Sequence, residues 1–577
     1  MASIDATAAG SGVVNAPYRM CRFTGLKVDQ AAETLIKVNA VTAVIFLAIG
    51  GLMGLGVALT RWPAVQILPP EWFYLVLTGH GANVLLFWII FFEIAVLYFA
   101  SAILLGSRLA APKVAWLAWV LMVAGALMAN YAVLRGDSTV MFTSYVPMQA
   151  SQWFYLGLII FAVGALIGVM EFFATLVVAK AENSYEGSVP LVTFGAITAA
   201  IIAVFTLASG AIILIPTWLW SLGLITELDS LTYKVIWRGV GRSSQQINVS
   251  AHVAIWYAIA AMVLGAKPLS EKVSRTAFLM YILFLQLASA HHLLAEPGMS
   301  SSWKIVNTSY MMYLAVLGSM IHGLTVPGAI EAAQRRNGFT RGAFEWLTRA
   351  PWGNPAFAGM FLSLVMFGFI GGISGVILGT EQLNVLMHNT LYVPGHFHGT
   401  VVAGTTLAFM AMTWLVVPLI FRRDIIWPTL AKWQPYLFGI GAGGISLFMM
   451  GAGTLGVPRR HWDISLADAA HHSVEFPAAA YLMMGLNGLF ALLAALGGLV
   501  FIVTVVASIL AGPRLDGPNA KMVFPLHDAS RQAVSEYGSE GTVRLPGTII
   551  LVGIFFAAFV LYYFVNWKYL SELWLFN

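Results

Sequence analysis

The sequence predicts an all-α integral membrane protein of about thirteen transmembrane helices. Three observations carry that expectation. Of the 577 residues, 59% are hydrophobic and only 10% are charged, against roughly a quarter charged in soluble proteins. A water-soluble fold could not cover so much apolar surface. The apolar residues also gather into runs of about 20 or more, the length that crosses a bilayer as a helix. Finally, Lys and Arg concentrate between alternate pairs of runs. The runs do not alternate polar and apolar residues as barrel strands do.

In chain order the runs are 38–59, 73–105, 114–135, 151–179, 191–217, 247–265, 275–292, 304–330, 354–379, 384–421, 434–456, 476–511 and 546–567. Several exceed the minimum, so they tilt or extend past the lipid. The first follows a tail ending at Lys37, the second stops short of Arg108, and the third lies between Lys113 and Arg135. The fourth stops at Lys180 and the sixth before Lys267. Glu296-Pro297-Gly298 supplies a helix stop after the seventh. The eighth ends before Arg335 and Arg336, the tenth at Arg422, the eleventh before Arg459 and the last at Lys568. With the N-terminus in the cytoplasm, 21 of the 30 Lys and Arg fall in inside segments, as the positive-inside bias requires. An odd number of spans then places the C-terminus outside. Residues 1–37 lack a signal-peptide pattern and are expected to remain as a cytoplasmic tail. Residues 38–577 are expected to form one transmembrane domain, with a cytoplasmic connector at about 512–545. This topology fits the plasma membrane of a prokaryote.

Composition also excludes chemistries. One cysteine, Cys21, rules out a disulfide framework, a Cys-based zinc site and a Cys-ligated iron–sulfur cluster. The net charge of +5 reports membrane orientation, because no basic patch interleaved with aromatics suggests nucleic acid.

The histidines are the informative polar residues, since ionisable groups at membrane depth are costly and mark function. His80 lies in the second run, the pair His291-His292 ends the seventh, and His388, His396 and His398 crowd the start of the tenth. On a helix, two residues apart is about 200° of rotation. His396 and His398 therefore cannot chelate one metal, but each can bind a different one, as on a helix between two planar haems. His80 is placed at matching depth to complete one of them. Adjacent His291 and His292 can share a metal only where the helix ends or distorts, and neutral imidazole suits copper or iron as well as zinc. A lone membrane histidine is more often a satisfied polar contact, and His252 and His322 taken singly are read that way. His461, His471, His472 and His527 are given no role.

From about Trp218 to Arg460 the chain resembles subunit I of the haem–copper oxidase superfamily, in its B-type branch. The matching pieces are Ser289-Ala290-His291-His292, Glu296-Pro297-Gly298, Trp303-Lys304 and the stretch Ala350 to Phe357. His388-Asn389-Thr390, Val393-Pro394-Gly395-His396-Phe397-His398 and Val457-Pro458-Arg459-Arg460 follow in order. The resemblance implies the subunit I fold, with two haems and a second metal. His80 and His398 would be the axial ligands of a low-spin haem and His396 the protein ligand of a high-spin haem. His291 and His292 would hold a copper or non-haem iron opposite its open face. Arg459 and Arg460 resemble a propionate-binding pair, for which bidentate Arg is suited; read alone they are interfacial anchors.

This chain departs from that pattern in the sixth span, within Trp237 to Val249. Arg242 aligns with the family's third metal-binding histidine and Gln246 with the tyrosine of oxygen-reducing B-type members. Arginine has no free lone pair to ligate a cation, and glutamine cannot give a proton and an electron as a phenol can. His252 lies about 15 Å further along a continuous helix, too far to replace Arg242 without a break, and Tyr257 is similarly displaced. Ser319, His322 and Thr325 form a polar stripe on the eighth span that reads either as a proton path or as helix–helix glue. Glu93, deep in the second span, is equally ambiguous.

Two-electron reduction of nitric oxide needs no phenol donor, and relatives of the B-type branch that reduce it resemble this chain in carrying glutamine at that position. Arg242 could instead stabilise a bound anion or developing negative charge. The expected activity is a membrane oxidoreductase reducing a diatomic gas, with nitric oxide favoured. A divergent cytochrome c or quinol oxidase acting on dioxygen is the alternative, and a non-catalytic haem electron carrier or gas binder a third. No electron-entry copper site is visible, so electrons must come from a second subunit with an outer electron-transfer domain, from cytochrome c or a cupredoxin, or from a quinol.

Overall fold

The structure is a computed structural model that describes residues 18–285, 293–464, 476–527 and 544–572. A short hairpin pairs Tyr18–Met20 with Lys27–Asp29, and Asp29 caps the first long helix by accepting a bond from the Ala32 amide at 2.9 Å. The spans are α1 Gln30–Arg61, α2 Pro70–Ile103, α3 Pro112–Leu134, α4 Gln152–Ala181, α5 Leu191–Ser221 and α6 Ser230–Leu264. After α7, described as Glu271–Met280 with a π-helical turn Tyr281–Leu285, come α8 Ser301–Arg336, α9 Pro355–Leu378, α10 Tyr392–Phe421, α11 Pro428–Thr454 and α12 Ala478–Ala511. The last is α13, Pro546–Glu572. Among the described residues, twelve helices are long and apolar enough to cross a membrane. The expected span 275–292 is α7, and its residues beyond 285 lie outside the described residues. The chain is a multi-pass, all-α membrane protein: in lipid, only such closed backbone hydrogen bonding is tolerated.

Among the boundaries that differ from the sequence expectation, two have a clear physical reason. The sixth run was expected to begin at 247, yet α6 begins at Ser230, capped by Asp229 accepting from the Thr232 amide at 2.6 Å. Its polar residues lower hydropathy but turn inward: Ser243, Gln246 and Asn248 are all buried. The tenth run divides into a short helix, Glu381–Met387, and α10. Asn389 sits between them at φ 62°, a left-handed conformation that Asn tolerates.

Burial ranks the spans. In α10, 89% of the most apolar window is inside the protein, and in α13 only 6%, so the histidine-bearing helix is central and the last helix peripheral. Glycines let neighbouring spans touch. A Cβ on Gly125 of α3 would lie 2.4 Å from the Phe161 nitrogen of α4 and 2.5 Å from the Gly157 carbonyl, the close backbone approach that small residues permit in membranes. Gly125→Ala is therefore expected to destabilise the protein by about 1–3 kcal/mol through overpacking, read as a lower thermal midpoint of the detergent-solubilised chain. An unchanged midpoint would show that the α3–α4 contact can relax.

Three π-helical segments lie where the candidate histidines are: Ala82–Phe87 in α2, Phe367–Gly372 in α9 and His398–Thr406 in α10. Such widened turns concentrate at functional sites.

Candidate functional site

His80 of α2 and His398 of α10 face one another with ring centroids 6.4 Å apart and planes 18° apart. The Nδ1 of His80 donates to the Gly50 carbonyl at 2.8 Å, and the Nδ1 of His398 to the Pro394 carbonyl at 2.7 Å. A carbonyl only accepts, so both protons are on Nδ1 and both Nε2 atoms keep a lone pair. Two metal–nitrogen bonds of about 2.0–2.1 Å set end to end, with half a ring beyond each, span a gap of this size. The pair thus fits a metal held between two carbonyl-oriented imidazoles. Room for the His80 ring comes from Gly54 of α1, where a Cβ would fall 2.6 Å from Cε1 of the ring.

His396 is buried and held from a different helix. Its Nδ1 lies 3.0 Å from the Ser374 hydroxyl and 3.1 Å from the Gly371 carbonyl, both on α9. The Ser374 hydroxyl itself donates to the Ile370 carbonyl, so it accepts from His396 and again leaves Nε2 with its lone pair. Because α9 grips His396 while His398 faces α2, the two rings leave α10 in different directions, as their spacing predicts. A planar cofactor on each side fits this donor set.

Arg459 and Arg460 follow the end of α11. Nε of Arg459 and Nε of Arg238 (on α6) are buried without a hydrogen-bond partner, orphaned donors that an anionic group would satisfy. Arg460 reaches the Thr143 hydroxyl at 3.4 Å and lies 5.0 Å from the centre of the Tyr145 ring; Arg238 donates to the Tyr145 hydroxyl at 2.5 Å. Burial, then the like charge of Arg460, pushes Arg459 down to about 10. His388 is pushed down to about 4 by burial and by Arg459, against the pull of Glu296, which lies 3.6 Å away. Burial works against ionisation of Glu296, but its 2.8 Å bond with Lys234 outweighs that and lowers its pKa. Among the described residues this cluster is mainly cationic.

Arg61 ends α1 here and donates to the Arg459 carbonyl at 2.7 Å and the His461 carbonyl at 3.2 Å. Sequence reading missed its role, and no local signal could have found it, because its partners are 398 and 400 residues away. Arg238 had a signal: it is an arginine set among the aromatic and polar residues that begin α6.

The remaining expected residues divide. Arg242 and Gln246 both lie on α6, and the Gln246 side chain is buried. His291 and His292 lie outside the described residues. Among the described residues no group of three His, Cys, Asp or Glu could hold a metal, and an arginine such as Arg242 offers no lone pair to one. His252 is fully buried, with Nδ1 3.0 Å from the Thr405 hydroxyl and its ring packed on Trp256 and Phe367.

The stripe on α8 is joined up by two tyrosines that sequence reading had set aside or passed over. The Tyr257 hydroxyl lies 2.6 Å from Thr325, 3.1 Å from Nδ1 of His322 and 3.1 Å from Ser274, and the Tyr281 hydroxyl lies 3.1 Å from Ser319. Hydroxyls so linked can pass protons as well as join helices.

A family model described as Cytochrome C and Quinol oxidase polypeptide I matches residues 34–500. A solved structure described as a heme-copper terminal oxidase dimer superposes with a TM-score of 0.79 at 25% identity, covering 94% of this chain and 92% of that one. The chain therefore belongs to the haem–copper oxidase subunit I family and is a membrane-bound respiratory oxidoreductase. Among curated relatives, cytochrome c oxidase subunit 1 of Thermus thermophilus is 29% identical over 470 residues, 78% of this chain and 81% of that protein. Quinol oxidase subunit 1 of Bacillus subtilis is 23% identical over 460 residues, 73% of this chain and 64% of that protein.

Proposed function

We propose that this chain is the subunit that carries electrons between two haems and reduces a diatomic gas, with nitric oxide as the favoured substrate. The observation that supports it best is the apposed pair His80 and His398, each with Nδ1 tied to a carbonyl. In this reading those two rings would together hold a low-spin haem and His396 would hold a high-spin haem that takes the gas. When bound, the haems supply one-electron transfer and an iron that can take a diatomic ligand. Arg459, Arg460 and Arg238 bind the propionates and offset their charge. Ser374 and the Gly371 carbonyl fix the His396 tautomer.

The gas is argued from α6. Gln246 is buried and has no phenol, so it cannot supply the extra electron and proton that cleavage of dioxygen takes from a tyrosine at that position in the family. Two nitric oxide molecules need only two electrons and two protons to give nitrous oxide and water. Arg242 remains cationic and favours negative charge developing near it. His291 and His292 alone would hold a second metal weakly. Protons are read as arriving along Ser319, Tyr281, His322, Tyr257 and Thr325. Electrons come from a partner subunit, cytochrome c, cupredoxin or quinol. The N-terminus lies in the cytoplasm, and residues 38–577 act as one domain.

A second reading, reduction of dioxygen, is favoured by the relatives, which are named as cytochrome c and quinol oxidases. The test is gas consumption by the purified protein with an artificial donor. Nitric oxide loss with one nitrous oxide formed per two consumed is expected; oxygen uptake without nitrous oxide would overturn the first reading and establish the second.

A further inference from the structure

Glu93 lies in the middle of α2 and is 6% exposed. Among the residues whose side chains are described, no Lys, Arg or His lies within 4 Å of its carboxyl, unlike Glu33, Glu296 and Glu331, which are all ion-paired. Asn248 of α6, with its amide turned so that nitrogen faces the acceptors, donates to Oε1 of Glu93 at 2.8 Å and to the Ser244 carbonyl at 3.0 Å. Glu93, Thr206, Ser244 and Asn248 are the polar residues among the mostly apolar lining of a cavity of about 100 Å3 between α2, α4, α5 and α6. Trp237 and Val240, from the outer half of α6, line the same cavity. About one turn further inward on α2, the buried Tyr98 hydroxyl has no hydrogen-bond partner and lies against Gly168 of α4. Glu171, one turn beyond Gly168, accepts from the Ala111 amide at 2.7 Å, near the inner end of α4.

An isolated carboxylate is too costly to bury without a partner, so the group rests as a neutral acid. A neutral acid hydrogen-bonded at the wall of a cavity is a proton store. We propose that Glu93 holds a transferable proton, separate from the hydroxyl line on α8, and gives it up toward the outer half of α6 when electrons enter the chain. The balance is one proton per electron. Glu93 loses H+ to water in the cavity, its carboxylate is held by the Asn248 amide, and a proton arriving past Glu171 and Tyr98 restores the acid. Titratable groups on the surrounding helices include Tyr98 on α2, Glu171 on α4, and Arg238, Arg242 and His252 on α6, the last one turn beyond Asn248.

This inference rests on the two-haem reading, and the experiment separates them. Infrared difference spectra, reduced minus oxidised, are recorded on the haem-loaded protein, with the visible haem bands read from the same sample. Absence of haem bands defeats the two-haem reading. With haem bands present, a carboxylic C=O feature is expected that is lost in Glu93→Gln and shifted, without loss, in Asn248→Ala, where the acid keeps its proton but loses a hydrogen bond. Asn248→Ala carries the test if Glu93→Gln does not fold. A wild-type spectrum with no carboxylic feature, a feature that persists in Glu93→Gln, or one unmoved by Asn248→Ala overturns the proposal.

Discussion

His398→Ala is expected to abolish the low-spin haem signal while leaving roughly half of the bound haem in place. His398 and His80 face each other across a 6.4 Å gap, and His396 is anchored separately by Ser374 and Gly371 on α9. Loss of one axial ligand therefore empties one site and spares the other. Turnover should fall by at least about 1,000-fold, since removing even an outer partner of a metal ligand typically costs about 10–100-fold. Pyridine haemochrome content and the low-spin paramagnetic resonance signal check the outcome. His80→Ala should give the same result, and His396→Ala the reverse, with the low-spin signal kept and gas binding lost. If all three variants lose both haems equally, the helix α10 is not a divider between two sites.

The second large effect is expected from the pair Arg242→His, Gln246→Tyr. Arginine cannot donate a lone pair and stays protonated, so the unaltered protein should carry well under one copper per chain. Arg242→His supplies an imidazole where the resemblance places the third ligand, and copper content should rise toward one per chain. Adding Gln246→Tyr should then shift activity toward dioxygen. Metal content by atomic emission and the ratio of oxygen uptake to nitrous oxide formation are the measurements. A full copper complement in the unaltered protein would mean that the second metal is held by residues other than Arg242.

Much of the fold was legible because lipid imposes a simple rule: a backbone that must satisfy its own hydrogen bonds shows itself as long apolar runs. The start of α6 was not legible, because Arg238, Gln246 and Asn248 look like a loop by hydropathy but turn toward the interior. The break before α10 was hidden for the opposite reason, as Glu381–Met387 and Asn389 lie in a stretch apolar enough to read as one span. At the site, His80, His396 and His398 stood out because histidine is rare at depth and their spacing constrains geometry. Arg61, Tyr145 and Tyr281 did not, since nothing in their own neighbourhoods says which distant helix they will meet. The link from Glu93 to Asn248 likewise joins α2 to α6 and has no local signature.

The facing rings of His80 and His398 have a consequence for how the protein is made. The two residues are about 300 positions apart, so at about 5–20 residues per second a ribosome needs roughly 15–60 s to finish the second after the first. Throughout that interval the early helices sit in the bilayer with half a pocket exposed, and the Arg61 tether to the segment after α11 does not yet exist. In the two-haem reading, a haem between these rings can be held from both sides only once the later helices are inserted, which makes loading a step that follows synthesis.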